Sequence, residues 1–215
     1  MKVVVFGANG KVGSLVTEIL LENNHKVTAF IRGEHHFLDH QRLTIMKGDV
    51  YNNEVVYQAI VGANAVISCL GSWGTKNKDI LTAGMKNIIP AMHQNNIKRI
   101  ITLTGSDALL PNQELTFTQR LTRPLLNLTA SKILKDGEDH LKLLQDSDLN
   151  WTTIRSPIMN EAGNPKSYHL KEQPLSPFQT IHRQSVALSM VNQLTDKTFF
   201  KEAPFIYRTK ENLIS

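Results

Sequence analysis

Gly7, Gly10 and Gly13 follow directly on the apolar run Lys2-Val-Val-Val-Phe6, and three glycines spaced three apart at the end of a strand suit the task of holding a phosphate. Gly7 lets the chain turn sharply off the strand, Gly10 lets backbone N–H groups approach a pyrophosphate, and Gly13 lets the next helix pack closely on the sheet. Val12, Leu15, Val16, Ile19 and Leu20 then recur at three- and four-residue steps. That spacing predicts a helix whose positive N-terminal end and unpaired N–H groups face the anion. Asn9, Lys11 and Val12 fill the loop between the glycines. A cation such as Lys11 in the first helical turn opposes the helix dipole and is better explained by a nearby anion. A tight strand-to-helix turn can need glycines without binding anything, so the context decides. Past Asn23-Asn24 a second apolar strand, Lys26-Val-Thr-Ala-Phe-Ile-Arg32, completes a βαβ unit of roughly 30 residues. The chemistry implied is dinucleotide binding.

The end of the second strand bears on which dinucleotide. A site for NAD(H) usually has an Asp or Glu there, which accepts from the ribose 2′-OH. This chain has Arg32 instead, whose guanidinium offers a planar fork to a 2′-phosphate. Glu34 stands two residues on and weighs the other way. NADP(H) is expected to be preferred, with NAD(H) possible.

Such a site needs a sheet to carry it. Leu43 to Met46 reads as a third strand ending in Gly48-Asp49-Val50, Asn53 to Ile60 as a short helix, and Ala63 to Leu70 as a fourth strand ending at Gly71. The fourth strand is a nearly continuous apolar run, which suits a parallel sheet covered on both faces. Asp79 to Gln94 reads as a helix with Ile80, Leu81, Met85, Ile88, Ile89 and Met92 on one face, and Pro90 is expected to kink it. Lys98 to Thr104 is the fifth strand, followed by Gly105-Ser106-Asp107; Leu128 to Gln145 is a helix; Trp151 to Arg155 is the sixth strand. Strands alternating with helices in this way predict an α/β, Rossmann-type, doubly wound parallel sheet. From Pro157 the pattern changes: residues 157 to 177 are rich in Pro, Gly and Asn, then a helix is expected at Gln184 to Leu194 and a last strand at Phe199 to Tyr207. Residues 1–215 are read as a single NAD(P)-binding domain, with 157–215 a small C-terminal elaboration over the catalytic edge. Ligands of open α/β sheets sit outside the strand C-termini, so the loops after Leu70, Thr104 and Arg155 should line the substrate side.

Composition excludes several other classes. The 215 residues are 41% hydrophobic and 20% charged, and no apolar run approaches the roughly 20 residues that span a bilayer. Met1 leads directly into a core strand, so no signal peptide is expected. The expectation is a cytoplasmic protein in which the sequons Asn127-Leu-Thr129 and Asn150-Trp-Thr152 are accidental. Cys69 is the only cysteine, which rules out an internal disulfide or a cysteine metal cluster. The net charge of +5 comes from 24 scattered Lys and Arg without interleaved aromatic platforms, a pattern that does not suggest nucleic acid and serves equally to attract an anionic dinucleotide. His36, Asp39 and His40 could suggest a metal site, but such a surface cluster is more often solvated and no metal is expected. The expected partner is a small-molecule acceptor; no particular oligomeric state is implied.

With these residues the chain resembles the atypical short-chain dehydrogenases, specifically the NmrA-like, NAD(P)-binding group that includes flavin reductase/biliverdin-IXβ reductase. The matching pieces are Gly7 to Gly13, Val27 to Arg32, Gly48 to Val50, Lys98 to Ile101 and Asp148 to Pro157. The resemblance implies that Asp49 and Val50 border the adenine, that Leu70 and Gly71 lie along the ribose and pyrophosphate, and that the backbone around Pro157 approaches the nicotinamide. Thr104 is counted among the cofactor-binding residues. The helix at Gln184 is similar to the family's late helix, with Ser185 where many members carry an acid.

One departure is mechanistic. Typical short-chain dehydrogenases use Tyr-x-x-x-Lys, whose lysine helps the tyrosine donate a proton. None of Tyr51, Tyr57, Tyr168 and Tyr207 has a lysine four residues later, and the helix that should carry the pair has Lys132 and Lys135 but no tyrosine. Carbonyl chemistry of that type, and the related sugar epimerase and dehydratase reactions, are therefore not expected. The reading is an NAD(P)H-dependent oxidoreductase that passes a hydride to a small conjugated acceptor, a flavin, quinone or similar, without that acid. The protein would supply orientation, a dry pocket and hydrogen-bond donors. Trp73, Met159 and Tyr168 are the candidate substrate pocket, and Ser106 is the candidate catalytic residue. The alternative is a non-catalytic redox sensor that binds the dinucleotide and reports its oxidation state to a partner protein.

Overall fold

The valine-rich run after Met1 forms the central strand β1 (Lys2–Phe6), and the glycine loop delivers the chain into α1 (Lys11–Glu22). In the computed structural model, which describes residues 1–73, 75–174 and 179–209, there follow β2 (Lys26–Ile31), β3 (Leu43–Lys47), α2 (Asn53–Ile60), β4 (Ala65–Ser68), α3 (Ile80–Gln94), β5 (Arg99–Gly105), α4 (Phe117–Gln145) and β6 (Asn150–Ser156). The chain continues through β7 (Ile158–Asn160), β8 (Tyr168–Lys171), β9 (Thr180–His182), α5 (Arg183–Asn192) and β10 (Phe205–Arg208). Residues 175–178 and 210–215 of the expected C-terminal elaboration lie outside the described residues.

Eight strands form one sheet in the order β3-β2-β1-β4-β5-β6-β10-β8, parallel throughout except for β8, while β7 and β9 pair in parallel as a separate ribbon. The α/β, Rossmann-type expectation holds. The order reverses between β1 and β4, and a crevice at such a switch point is where open sheets bind ligands. Alternate residues of β1 explain the two layers. Val4 and Phe6 face the core beneath α2, α3 and α4, whereas Val3 and Val5 face the core beneath α1 and α5. Phe6, Phe30, Trp151 and Phe205 are fully or almost fully buried. Each such side chain contributes about 1.5 to 3 kcal/mol relative to exposure.

Several boundaries differ from expectation. Helix α3 carries Pro90 inside one continuous helix. Pro90 and Lys86, whose carbonyl loses its partner, are both exposed, so water can replace the lost bond. Helix α4 starts at Phe117, not Leu128, because Thr116 and Gln119 form a capping box, and it bends at Ala130, whose φ of −140° and ψ of 24° are not helical. The stretch 157–177, rich in Pro, Gly and Asn, contains the short strands β7 and β8. The last strand begins at Phe205 rather than Phe199, because residues 198–201 turn, with Lys201 at φ 62°.

Two buried arginines fasten the C-terminal strands to the sheet. Arg155 Nε donates to the Ala203 carbonyl at 2.7 Å, and its guanidinium lies 3.7 Å from the Phe205 ring centroid. At the opposite end, Arg99 Nε donates to Gln193 O at 3.0 Å, and its guanidinium lies 4.4 Å from the Phe200 ring. Burial lowers both guanidinium pKa values to about 10, so both stay charged at neutral pH, held by carbonyl acceptors and aromatic faces.

Candidate cofactor-binding site

Gly7 leaves β1 with φ 71°, and a Cβ there would lie 2.9 Å from the Cys69 carbonyl oxygen, which follows the neighbouring β4. At Gly13 a Cβ would overlap the Gly7 carbonyl oxygen and come within 2.8 Å of Ala8 Cα. Both glycines are therefore required by backbone packing. Gly10 differs, since its Cβ would meet only Gly7 O at 3.2 Å. It is the N-cap of α1 with no side-chain cap bond, and no acid occupies the first turn. Ser14 N donates to Gly10 O at 2.9 Å, but the N–H groups of Lys11, Val12 and Gly13 have no acceptor among the described residues. Three free donors at the positive end of a 12-residue helix form a cradle that fits a diphosphate.

The loop after β2 is laced to this cradle. Ala8 N reaches Phe30 O at 3.4 Å, and Asn9 Nδ2 donates to the Glu34 carbonyl at 2.6 Å. Arg32 is exposed and makes no hydrogen bond or ion pair with the described residues. Glu34 Oε1 instead lies 3.1 Å from Lys47 Nζ. After β3, Asp49 Oδ1 accepts from Tyr51 N at 3.1 Å, and the carbonyl of buried Val50 accepts from Asn87 Nδ2 at 2.6 Å. After β4, Leu70 packs beneath Gly84 of α3, where a Cβ would be 2.6 Å from Leu70 Cδ1, while Gly71 has open space around it.

The loops after β4, β5 and β6 continue the same edge. Ser72 is buried and Trp73 is 74% exposed. Ser72 Oγ donates to the buried Asp136 of α4, which also accepts from Leu81 N and Thr82 N at the start of α3. Thr104 is buried, and its hydroxyl lies where a Cβ on Gly137 of α4 would come within 2.7 Å. Ser106 N donates to Ser156 O at 2.9 Å, which ties the ends of β5 and β6 together beside Pro157, whose carbonyl accepts from Ser156 Oγ at 3.0 Å. Next to Ser106, the Asp107 carboxyl is shielded enough for desolvation to raise its pKa, against the opposing charge of Arg123, although the residue as a whole has an exposed surface. Met159 lies in β7 and packs on the α1 side of the core.

Ser106, Pro157 and Met159 thus gather at the ends of β5 and β6. Tyr168 sits on edge strand β8, two strand steps from β6, or about 10 Å. Its hydroxyl accepts from Asn192 Nδ2 at 2.7 Å, at the end of α5. Asp136 and His140 were absent from the sequence reading, although polar residues four apart beside Leu134 and Leu141 do signal a buried polar stripe. His140 is 1% exposed, and among the described residues neither ring nitrogen has a partner in good hydrogen-bond geometry; burial pushes its pKa down to about 4 against the pull of Asp136 and the Gly137 backbone. Among the described residues no three His, Cys, Asp or Glu side chains are grouped to hold a metal ion, and His36 stacks on Phe37. Among them, too, no helix is long and apolar enough to cross a membrane.

Comparison with known proteins agrees with this geometry. The family described as NAD(P)H-binding matches residues 7–197. A 2-alkyl-3-oxoalkanoate reductase of Stenotrophomonas maltophilia is 29% identical over 145 residues, 65% of this chain and 41% of the relative. A 3-beta-hydroxysteroid dehydrogenase of Mycolicibacterium neoaurum is 26% identical over 126 residues, 53% of this chain and 34% of the relative. This chain therefore spans less than half the length of either. Among solved structures, a short-chain dehydrogenase/reductase of Veillonella parvula in complex with NADP superposes with a TM-score of 0.77 at 20% identity, covering 96% of this chain and 94% of that one. An anaerobilin reductase of Escherichia coli gives 0.77 at 17% identity, covering 98% of both chains. These structures share the fold.

Proposed function

This chain belongs to the NAD(P)H-binding family, and we propose that it is a reductase that uses NADP(H) in preference to NAD(H) and passes the hydride to a small conjugated acceptor, a flavin, quinone or similar compound. The observation that carries this reading is the cradle itself, the unpaired N–H groups of Lys11, Val12 and Gly13 beside an Arg32 that no described residue engages. Those N–H groups and Gly10 would hold the diphosphate, and Arg32 the 2′-phosphate. Asp49 and Val50 would border the adenine, Leu70 and Gly71 the ribose, and Thr104 and Pro157 the nicotinamide end. Once bound, the cofactor supplies the hydride.

The rest falls to the chain's own residues. Ser106, where β5 and β6 are tied together, would offer a hydroxyl to charge developing on the acceptor. Trp73 and Met159 would form apolar walls. A tyrosine acid is not part of the proposal, because none of the four tyrosines has a lysine four residues later to help it donate a proton. The words reductase and NADP in the names of similar proteins support its coarser part, a reductase that uses NADP(H); the conjugated acceptor rests on the missing Tyr-x-x-x-Lys pattern.

The test is steady oxidation of NADPH and NADH by the purified protein across a panel of flavins and quinones. Turnover is expected, with a preference for NADPH of roughly ten- to a hundredfold from one charge-assisted contact. Binding without turnover on any acceptor would favour the redox-sensor reading instead.

A further inference from the structure

Two residues beyond Arg32 the chain carries an acid, Glu34, close to where a carboxylate would accept from a ribose 2′-OH and repel a 2′-phosphate. Its backbone is held in place, because Asn9 of the glycine loop donates to its carbonyl at 2.6 Å. The side chain has a partner as well. In the parallel register of β2 and β3, Ile31 stands opposite Lys47, which brings Lys47 beside the end of β2. Lys47 Nζ lies 3.1 Å from Glu34 Oε1, and the ion pair of Glu34 is with Lys47, not with the nearer-in-sequence Arg32.

We propose that Lys47 is a specificity-determining residue for the dinucleotide, acting through Glu34: it draws the carboxylate away from the 2′-phosphate position and leaves Arg32 free for the phosphate. The inference rests on the NADP(H) reading above and adds a second residue to it. The Glu34 and Lys47 side chains are 95% and 55% exposed, and pairs this exposed add little to folding stability. The effect of the pair is on the local charge met by the ligand. Without Lys47, an unpaired carboxylate would face a phosphate dianion next to the cradle, and Arg32 would be shared between acid and ligand. Asn9 is then a positioning residue, because it fixes the backbone from which Glu34 projects.

The experiment is a titration of NADPH and NADH into the full chain at low salt, where charge contacts are least screened. The proteins are wild type, Lys47→Ala, Glu34→Gln, the double variant and Arg32→Ala. Lys47→Ala is expected to weaken NADPH binding by roughly three- to tenfold and to leave NADH binding unchanged or slightly tighter. Adding Glu34→Gln is expected to restore NADPH affinity to the wild-type level. If the defect persists in the double variant, Lys47 acts directly on the phosphate and the role through Glu34 is overturned. If Lys47→Ala changes nothing while Arg32→Ala selectively weakens NADPH, this inference fails and the NADP(H) reading stands. Equal affinity of the wild type for both dinucleotides, with no effect of Arg32→Ala, overturns both.

Discussion

Thr82 of α3 donates two hydrogen bonds to Asp136 of α4: its N–H to the carboxylate at 2.9 Å and its Oγ1 to the backbone carbonyl at 3.2 Å. The N-cap of α3, Asp79, makes no side-chain cap bond, and its carboxylate accepts from Tyr51 at 2.7 Å. A carboxylate from another helix therefore caps α3. Because it also holds Ser72, it anchors the loop after β4 at the cofactor edge.

Asp136→Ala would leave buried Ser72, together with Leu81 N and Thr82 N, without their acceptor. A hydrogen bond to a charged group contributes about 1.5 to 3 kcal/mol, so a loss of about that size is expected, with weaker dinucleotide binding as the Ser72 loop loosens. Asp136→Asn keeps one acceptor oxygen and should fall between. Urea denaturation followed by circular dichroism measures both; a wild-type midpoint for the alanine variant would contradict the capping role.

The three glycines should separate into two kinds. At Gly13 an added methyl runs into backbone at Gly7 and Ala8, and at Gly7 it meets the Cys69 carbonyl with φ at 71°. Alanine at either position should lower the melting temperature as well as abolish binding. Gly10→Asp should lower the melting temperature less, because its Cβ meets only the Gly7 carbonyl oxygen, at 3.2 Å, yet remove dinucleotide affinity by placing a carboxylate where the proposed cradle would hold the pyrophosphate. Calorimetric titration of folded Gly10→Asp checks this, and retained affinity would move the site elsewhere.

This division also marks what could be read in advance. The glycine spacing was legible because the turn off β1 and the packing of α1 demand it, and β1, β2 and β4 were legible as apolar runs because both faces of the central sheet are covered. The short strands β7 and β9 were hidden because they exist only through pairing at long range, Ile158 with Thr180. The first half of α4 was hidden for another reason. Its apolar residues Phe117, Leu121, Leu125 and Leu128 are all at least 65% exposed, so no buried stripe announces the helix. That Tyr168 would lie on an edge strand was hidden in the same way as β7 and β9, since β8 joins the sheet only through its antiparallel pairing with β10.

His140 predicts an acid-sensitive fold. Its pKa is about 4 in the folded chain and about 6.5 when unfolded, so the unfolded chain takes up the proton first as pH falls. The stability that goes with the neutral imidazole is present above pH 6.5 and is lost progressively down to about pH 4, by up to about 3 kcal/mol. The lowered pKa of Asp196, which Thr198 holds by hydrogen bonds, acts at lower pH. His140→Phe should flatten the dependence between pH 7 and 5. Denaturant midpoints for the two proteins at both pH values measure it, and equal slopes would show that another group titrates.

The last prediction separates two hydroxyls. A general acid contributes about 10² to 10⁴ in rate, so if Tyr168 donated the proton, Tyr168→Phe would lower kcat by that factor with KM little changed. No lysine stands four residues after Tyr168 to help it donate a proton, and its hydroxyl oxygen accepts from Asn192 Nδ2 at the end of α5. Tyr168→Phe should therefore leave kcat with a quinone acceptor within about twofold, well short of that range, at the cost of the Asn192 bond and some stability. Ser106 lies beside the tie from its own N–H to Ser156 O, where charge would develop on the acceptor. Ser106→Ala should lower kcat by roughly tenfold or more, in line with the loss of one hydrogen-bond donor to a developing charge, while NADPH affinity stays unchanged. The reverse pattern, a large kcat loss for Tyr168→Phe and none for Ser106→Ala, would place the reacting centre under β8 instead of at the ends of β5 and β6.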